Sequence, residues 1–281
     1  MNFTENAILF DCAGESLVGI LARPTGPLDT GVVVIVGGPQ YRAGSHRQFV
    51  LLSRALAAAG HAVLRFDYRG MGDSTGNLHN FENINPDIAS AINTLQAAVP
   101  GLRDVVLWGL CDGASAALLY CHAAQDSRVR GLCLLNPWVR SATSLAKTHV
   151  KHYYSRRLLQ REFWAKLISG GVAWRALADL IQNVRTASRP QPELATASFQ
   201  DRMAMAWKSF NGPILLLLSG DDYTAKEFLE HAGSSMSWTG ALQKSALVQH
   251  LEHGADHTLS EIKFNFVIEK CTLNLLGQLA P

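Results

Sequence analysis

The stretch Val105-Val106-Leu107-Trp108-Gly109-Leu110-Cys111-Asp112-Gly113-Ala114-Ser115-Ala116-Ala117-Leu118 decides how this chain is read. Its first half is an apolar run suited to a strand buried on both faces, and its second half is a run of small residues suited to a closely packed helix. Between them stands a Gly-x-Cys-x-Gly turn centred on Cys111. Strand, tight turn and helix in that order form the setting of a nucleophile elbow, where a strained turn lifts one side chain to the carboxyl edge of a parallel sheet. The flanking glycines keep side chains out of the crowded turn. Cysteine stands where serine is usual, so the reading predicts covalent catalysis through a thiolate. Alone, a cysteine between two glycines is more often a small core residue. The assignment therefore depends on its partners.

Working outward, alternating residues over 7–11 and 17–22 predict an opening hairpin. Val32 to Val36 form a β-branched run typical of a strand covered on both faces. Helical periodicity from His46 to Ala59 stops at Gly60, a C-capping residue. Ala62 to Phe66 predict a strand, Asn85 to Ala98 a helix, and Gly131 to Leu135 the strand after the elbow helix. The alternation then ceases over 138–211 and resumes with a strand at Ile214 to Leu218. A helix near Ala225 to His231, a strand at Ala246 to Leu251 and a terminal helix from Ser260 to Leu279 follow. Such an order predicts a mostly parallel sheet with helices on both faces and right-handed crossovers. Residues 1–137 and 212–281 would form this core, and 138–211 a helical lid inserted above the carboxyl edge.

Composition narrows the class. A chain of 281 residues with net charge +2 is an ordinary soluble globular protein with room for one sizeable core. No apolar run reaches the roughly 18 residues of a membrane span. The start, Met1-Asn2-Phe3-Thr4-Glu5-Asn6, lacks the regions of a signal peptide. Cys12, Cys111, Cys121, Cys133 and Cys271 are scattered without metal spacing, which predicts a reduced, cytoplasmic protein with neither metal nor cofactor. Charge is uneven, however. Residues 138–211 carry 12 Lys and Arg against 4 Asp and Glu, interleaved with Tyr153, Tyr154, Phe163, Trp164 and Trp174. This block suggests an anionic ligand or surface, or else the solvated face of amphipathic helices. Nucleic acid is excluded because the basic residues are confined to the predicted lid and no binding motif accompanies them. Nothing in the sequence indicates an oligomeric state.

A catalytic cysteine needs a base to take its proton and an anion to orient that base. Leu218-Ser219-Gly220-Asp221-Asp222 puts two carboxylates just past a strand end, and Ala255-Asp256-His257-Thr258 puts a histidine after the last strand. Cys111, Asp222 and His257 thus follow the order nucleophile, acid, base. Asp221 is the alternative acid, and whichever aspartate is not the acid is expected to cap the helix near Thr224. His250 and His253 compete with His257. The oxyanion hole is expected from the N–H of Asp112 and that of Gly38 in Val36-Gly37-Gly38-Pro39-Gln40, with Gln40 as fallback because Pro39 has no N–H. Gln40 and Trp138 are candidate binding residues, and His46 a candidate for the pocket mouth. The charge of Asp112 beside Cys111 opposes the thiolate, while a helix N-terminus and His257 favour it.

Arg65-Phe66-Asp67-Tyr68-Arg69-Gly70-Met71-Gly72-Asp73-Ser74 resembles a loop found throughout the α/β-hydrolases. With the elbow, the Gly-Gly-Pro turn and the late Ala-Asp-His, the resemblance spans nearly the whole chain outside the lid. It implies the α/β-hydrolase fold. Departures are Cys111 for serine, Val36 where many members have histidine, and a short acid loop in which Tyr223 takes the usual acid position. A cysteine at the elbow is similar to dienelactone hydrolases and polyester synthases. Val-Gly-Gly-Pro-Gln-Tyr-Arg at 36–42 and Trp-Gly-Leu-Cys-Asp-Gly-Ala at 108–114 further resemble the exosortase-A-system-associated hydrolase 1 group, as do Leu-Ser-Gly-Asp-Asp at 218–222 and Ala-Asp-His-Thr at 255–258. That resemblance implies work beside bacterial exopolysaccharide export. The leading expectation is a cysteine hydrolase of an ester or thioester, with a small-molecule substrate that is anionic or carrier-linked. An acyltransferase on the same residues and a non-catalytic binding protein are the alternatives.

Overall fold

The computed structural model describes residues 2–26, 28–38, 40–140, 197–244 and 246–279. Strands β1 (Phe3–Cys12) and β2 (Glu15–Pro24) form the expected hairpin, paired from Phe3↔Pro24 to Cys12↔Glu15. Its two-residue turn, Ala13 and Gly14, takes positive φ at both positions, which matches the twist of the flanking strands. β2 then pairs antiparallel with β4 (Val63–Phe66). The other strands are β3 (Thr30–Ile35), β5 (Asp104–Leu110), β6 (Val129–Leu135), β7 (Ile214–Ser219) and β8 (Leu247–Glu252). They give one sheet of order β1-β2-β4-β3-β5-β6-β7-β8, parallel from β4 to β8.

The β-branched run of β3 shows why the sheet is covered twice. Val32 and Val34 meet Phe49 and Leu52 of α1 (Gln48–Ala58) and Phe264 and Ile268 of α6 (Ile262–Gly277) on one face. Val33 and Ile35 share the other face with Ile88 and Leu95 of α2 (Asn85–Ala98) and Leu118 of α3 (Asp112–Ala124). Side chains alternate along a strand, so an uninterrupted apolar run supplies both layers. Gly60, at φ 100, stops α1 as expected, and the His61 N–H reaches back to the Leu56 carbonyl. All parallel strands point their carboxyl ends to one edge, where the loops after β3, β4, β5, β7 and β8 gather.

Two helices complete the core, α4 (Phe199–Ser209) and α5 (Tyr223–Ser234). The first falls inside the 138–211 stretch assigned to the insertion by sequence, yet it belongs to the compact unit that holds the sheet. Its Met203, Ala204 and Trp207 are buried in the α3-side core. Trp207 stacks edge-on with Trp238 at 5.4 Å and tilts onto Phe228 at 6.0 Å, while its indole N–H donates to the Ala241 carbonyl at 2.9 Å. Aromatic packing with the indole hydrogen satisfied fixes the helix to the core. Trp207→Ala is therefore expected to lower unfolding free energy by about 3–5 kcal/mol, read by chemical denaturation. A loss under about 1 kcal/mol would mean that the helix is not anchored this way. The rest of the predicted lid, 141–196, lies outside the described residues, and so does most of the basic block. Among the described residues no helix is long and apolar enough to cross a membrane, and no group of acidic, histidine and cysteine side chains could hold a metal ion.

Candidate active site

The elbow is built from contacts too close for larger residues. A Cβ on Gly109 would lie 2.5 Å from the Gly113 backbone, and one on Gly113 would lie 2.4 Å from the Ile35 carbonyl. β5, α3 and β3 can converge this tightly only with glycine at both positions. Cys111, at the turn between them, has φ 59 and ψ −123, a conformation disfavoured for any side chain larger than hydrogen. Neighbouring backbone overdetermines it: the Cys111 N–H donates to the Leu135 carbonyl at 2.9 Å, and its own carbonyl accepts from the Trp138 N–H at 3.2 Å. Such strain persists where surrounding structure holds it, and it marks functional turns. Cys111 is half-buried there.

The loop after β7 places Asp222 at the N-cap of α5. Its Oδ1 accepts from the Thr224 N–H at 3.1 Å and its Oδ2 from the Ala225 N–H at 3.3 Å. The same Oδ2 lies 2.8 Å from His257 Nδ1, in the loop after β8. A carboxylate can only accept, so Nδ1 carries the proton and Nε2 is the nitrogen free to take another. The structure thus brings Asp222 and His257 together and leaves Asp221 exposed at the turn. The helix cap, expected from the aspartate that was not the acid, comes from Asp222 as well. Two carboxylate oxygens suffice for both tasks. Of the competing bases, His250 pairs with Glu252 at 2.8 Å and His253 is exposed. His46 is exposed and stands outside the lining of the cleft described below.

Charge follows from this geometry. The Asp222 hydrogen bond raises the His257 imidazole above its ordinary value against the pull of burial, with Asp112 and Asp256 adding to the rise. Burial pushes the Asp222 carboxyl up, but His257 and the two helix N–H groups outweigh it, and the net direction is down. A depressed carboxyl stabilises the fold above its unfolded value of about 3.9, and that stability is lost as pH falls through the depressed value. A raised histidine stabilises below its unfolded value of about 6.5, and that stability is lost as pH rises through the raised value. Between the two unfolded values, about 3.9 and about 6.5, both contributions are complete. The Tm difference between wild type and His257→Gln is expected to peak in that window, and a difference flat from acid to alkaline pH would contradict the pairing.

Asn136 was not singled out from sequence as part of the site. Buried at the end of β6 with φ 46, it donates from Nδ2 to Ser219 Oγ at 2.8 Å and to the His257 carbonyl at 3.1 Å. Its Oδ1 accepts from the Ser219 N–H at 2.8 Å. One amide therefore holds the β7 end and the backbone of His257 in register. Asparagine tolerates the left-handed region, and an Asn-Pro pair at a strand end was the available signal.

Of the two N–H groups expected to form an oxyanion hole, that of Gly38 is met by a side chain. Gly38 donates to Asp112 Oδ1 at 2.5 Å. Burial nevertheless raises the Asp112 carboxyl above the usual range. Gly38, Gln40 and Asp112 line an open cleft of about 840 Å3, walled by Tyr41, Tyr68, Met71, Leu78 and Phe81. Gln40 is steadied by a 3.3 Å bond from Gln48. Trp138 reaches Cys111 through its backbone, and Ser115 Oγ holds its carbonyl at 2.6 Å. The loop after β4 serves the frame: buried Asp67 accepts from the Arg42 and Asp73 N–H groups at 2.6 and 3.1 Å and pairs with the Arg42 guanidinium.

Comparison with known proteins agrees with this architecture. Residues 32–261 match the model of the Alpha/beta hydrolase family. The fold is similar to an esterase of Pyrococcus furiosus (TM-score 0.66, 15% identity, 99% of this chain and 92% of that one). It is also similar to Est1E of Butyrivibrio proteoclasticus, solved with ferulic acid bound (TM-score 0.64, 16% identity, 98% and 100%). A third similar structure is the mouse alpha/beta hydrolase domain-containing protein 10 (TM-score 0.60, 17% identity, 98% and 99%). Human Protein ABHD12B is 37% identical over 86 residues, a match that spans 31% of this chain and only 23% of that protein. With its doubly covered sheet, its strained elbow and a family match over most of its length, the chain belongs to the alpha/beta hydrolase family.

Proposed function

We propose that this protein is a hydrolase of small-molecule esters or thioesters working through an acyl-Cys111 intermediate. The observation that carries this reading is the strained, half-buried Cys111 on the same sheet edge as a hydrogen-bonded Asp222–His257 pair. His257 takes the thiol proton, and the thiolate attacks the carbonyl carbon. The oxyanion is met by the N–H groups of Gly38 and Asp112, and collapse expels the alcohol or thiol, which His257 protonates. Water, deprotonated by the same imidazole, then attacks the acyl-cysteine and releases the acid.

The cleft supports an acyl group with apolar or aromatic character, because Tyr41, Tyr68, Met71, Leu78 and Phe81 are five of its twelve described lining residues. Its carboxylates, Asp73 and Asp112, disfavour a negatively charged acyl group there. An anionic or carrier-linked leaving group rests on the sequence alone, through the basic block within 138–211. The link to exopolysaccharide export likewise rests on the motifs at 36–42, 108–114, 218–222 and 255–258, and a cytoplasmic place of work on the scattered cysteines. To test the reading, short aryl and alkyl esters and thioesters would be offered with and without a saccharide acceptor. Acid release that does not depend on the acceptor supports a hydrolase. Product found only on the acceptor would replace it with an acyltransferase.

A further inference from the structure

The oxyanion hole of the elbow carries its own anion. A carboxylate oxygen is the nearest protein equivalent of a tetrahedral oxyanion, and Asp112 Oδ1 sits 2.5 Å from the Gly38 N–H. The carboxylate belongs to the residue whose own N–H is the other expected hole donor, at the start of α3. Helix N-termini favour such a charge. The seat is shaped for it: a Cβ on Gly37 would come within 2.4 Å of Asp112 Oδ1 and 2.2 Å of the Leu110 carbonyl. The titratable groups that face this carboxylate are Tyr68 from the loop after β4 and His257 from the loop after β8, with Cys111 adjacent in the chain. Tyr68 and His257 act on the carboxylate through charge, unlike Arg42, which pairs directly with Asp67.

We propose that the Asp112 carboxylate is a resident occupant of the oxyanion hole, which the carbonyl oxygen of the substrate must displace before Cys111 attacks. The proposal builds on the acyl-cysteine reading and adds a selection rule. While Asp112 is seated, a reagent bringing a negative charge next to the reacting carbon is repelled. An uncharged acyl donor competes for the N–H groups on equal terms. Asp112 is in this respect a positioning residue that limits the reaction instead of assisting it. Its removal should then raise activity, the opposite of what loss of a structural side chain does.

The test compares alkylation of Cys111 by iodoacetate and iodoacetamide at neutral pH, followed by peptide mapping, in wild type, Asp112→Ala and Asp112→Asn. In each reaction the thiolate attacks the methylene carbon and iodide leaves, so no turnover is needed. Dividing the two rates cancels any change in thiol reactivity common to both. The iodoacetate-to-iodoacetamide ratio is expected to rise about tenfold or more in Asp112→Ala, where the reagent carboxylate can enter the vacated hole. A smaller rise is expected in Asp112→Asn, which loses the charge but keeps the occupant. Hydrolysis of an uncharged thioester should increase in Asp112→Ala as well. A raised ratio without hydrolysis by any variant keeps the occupant and overturns the hydrolase reading. An unchanged ratio in both folded variants overturns the occupant, whatever the turnover.

Discussion

Replacing Cys111 by alanine is expected to lower kcat for any accepted ester or thioester by about 10^4-fold or more, because in the proposed mechanism it removes the sulfur that carries the acyl group. The substitution isolates chemistry from folding. Alanine meets the same steric penalty at φ 59 that cysteine already bears, so the elbow keeps its shape. The thiol is half-buried and small, and its loss should change stability by no more than about 1 kcal/mol. Turnover and thermal unfolding measured on the same preparation separate the two effects. A variant that keeps its Tm and still turns over within about a hundredfold of wild type would place the nucleophile elsewhere.

The second large effect is expected at Asp222, which does two jobs with one carboxylate. Asp222→Asn should reduce kcat by about 10^3–10^4-fold, since an amide no longer enforces the Nδ1–H tautomer or stabilises the imidazolium. Asparagine caps helices about as well as aspartate, so α5 should lose only a few tenths of a kcal/mol. Asp222→Ala should show a similar rate loss together with about 1–2 kcal/mol of destabilisation. The contrast between the two variants assigns the cap and the catalytic support to the same side chain. The pH profile adds an independent reading. His257 is raised above its ordinary value mainly by Asp222, so the acid limb of kcat/KM should lie above about 6.5 in wild type and move down toward it in Asp222→Asn. An acid limb that stays in place would mean that another group controls that titration.

These residues also show what could be read before any coordinates. The elbow was legible because its sequence is dictated locally: an apolar run, two glycines where backbones touch, then small helical residues. The succession of strands and helices and the mostly parallel sheet followed from alternation, and the two-layer burial of Val32 to Ile35 is what an uninterrupted apolar run implies. The 199–209 boundary was not legible. The amphipathic pattern of that helix resembles the residues before it, and only its packing on Trp238 and Phe228 assigns it to the core. Asp221 and Asp222 are equivalent in sequence, and the choice between them is a matter of which one the turn directs toward His257. Asn136 was passed over because its role depends on two partners far along the chain, Ser219 and His257. The carboxylate of Asp112 was noticed only for its charge. That it folds back onto Gly38 depends on the approach of the β3 loop to the start of α3, which local sequence does not encode.

The central claim is an acyl group carried on Cys111. The most direct measurement is the intact mass of wild type and Cys111→Ala, quenched at short times after mixing with a short-chain acyl thioester, with free thiol and free acid followed in parallel. An adduct of one acyl group is expected on wild type alone, appearing with the thiol and decaying as acid accumulates. Acid release at the wild-type rate from Cys111→Ala, or an acyl adduct mapped to another residue, would contradict it.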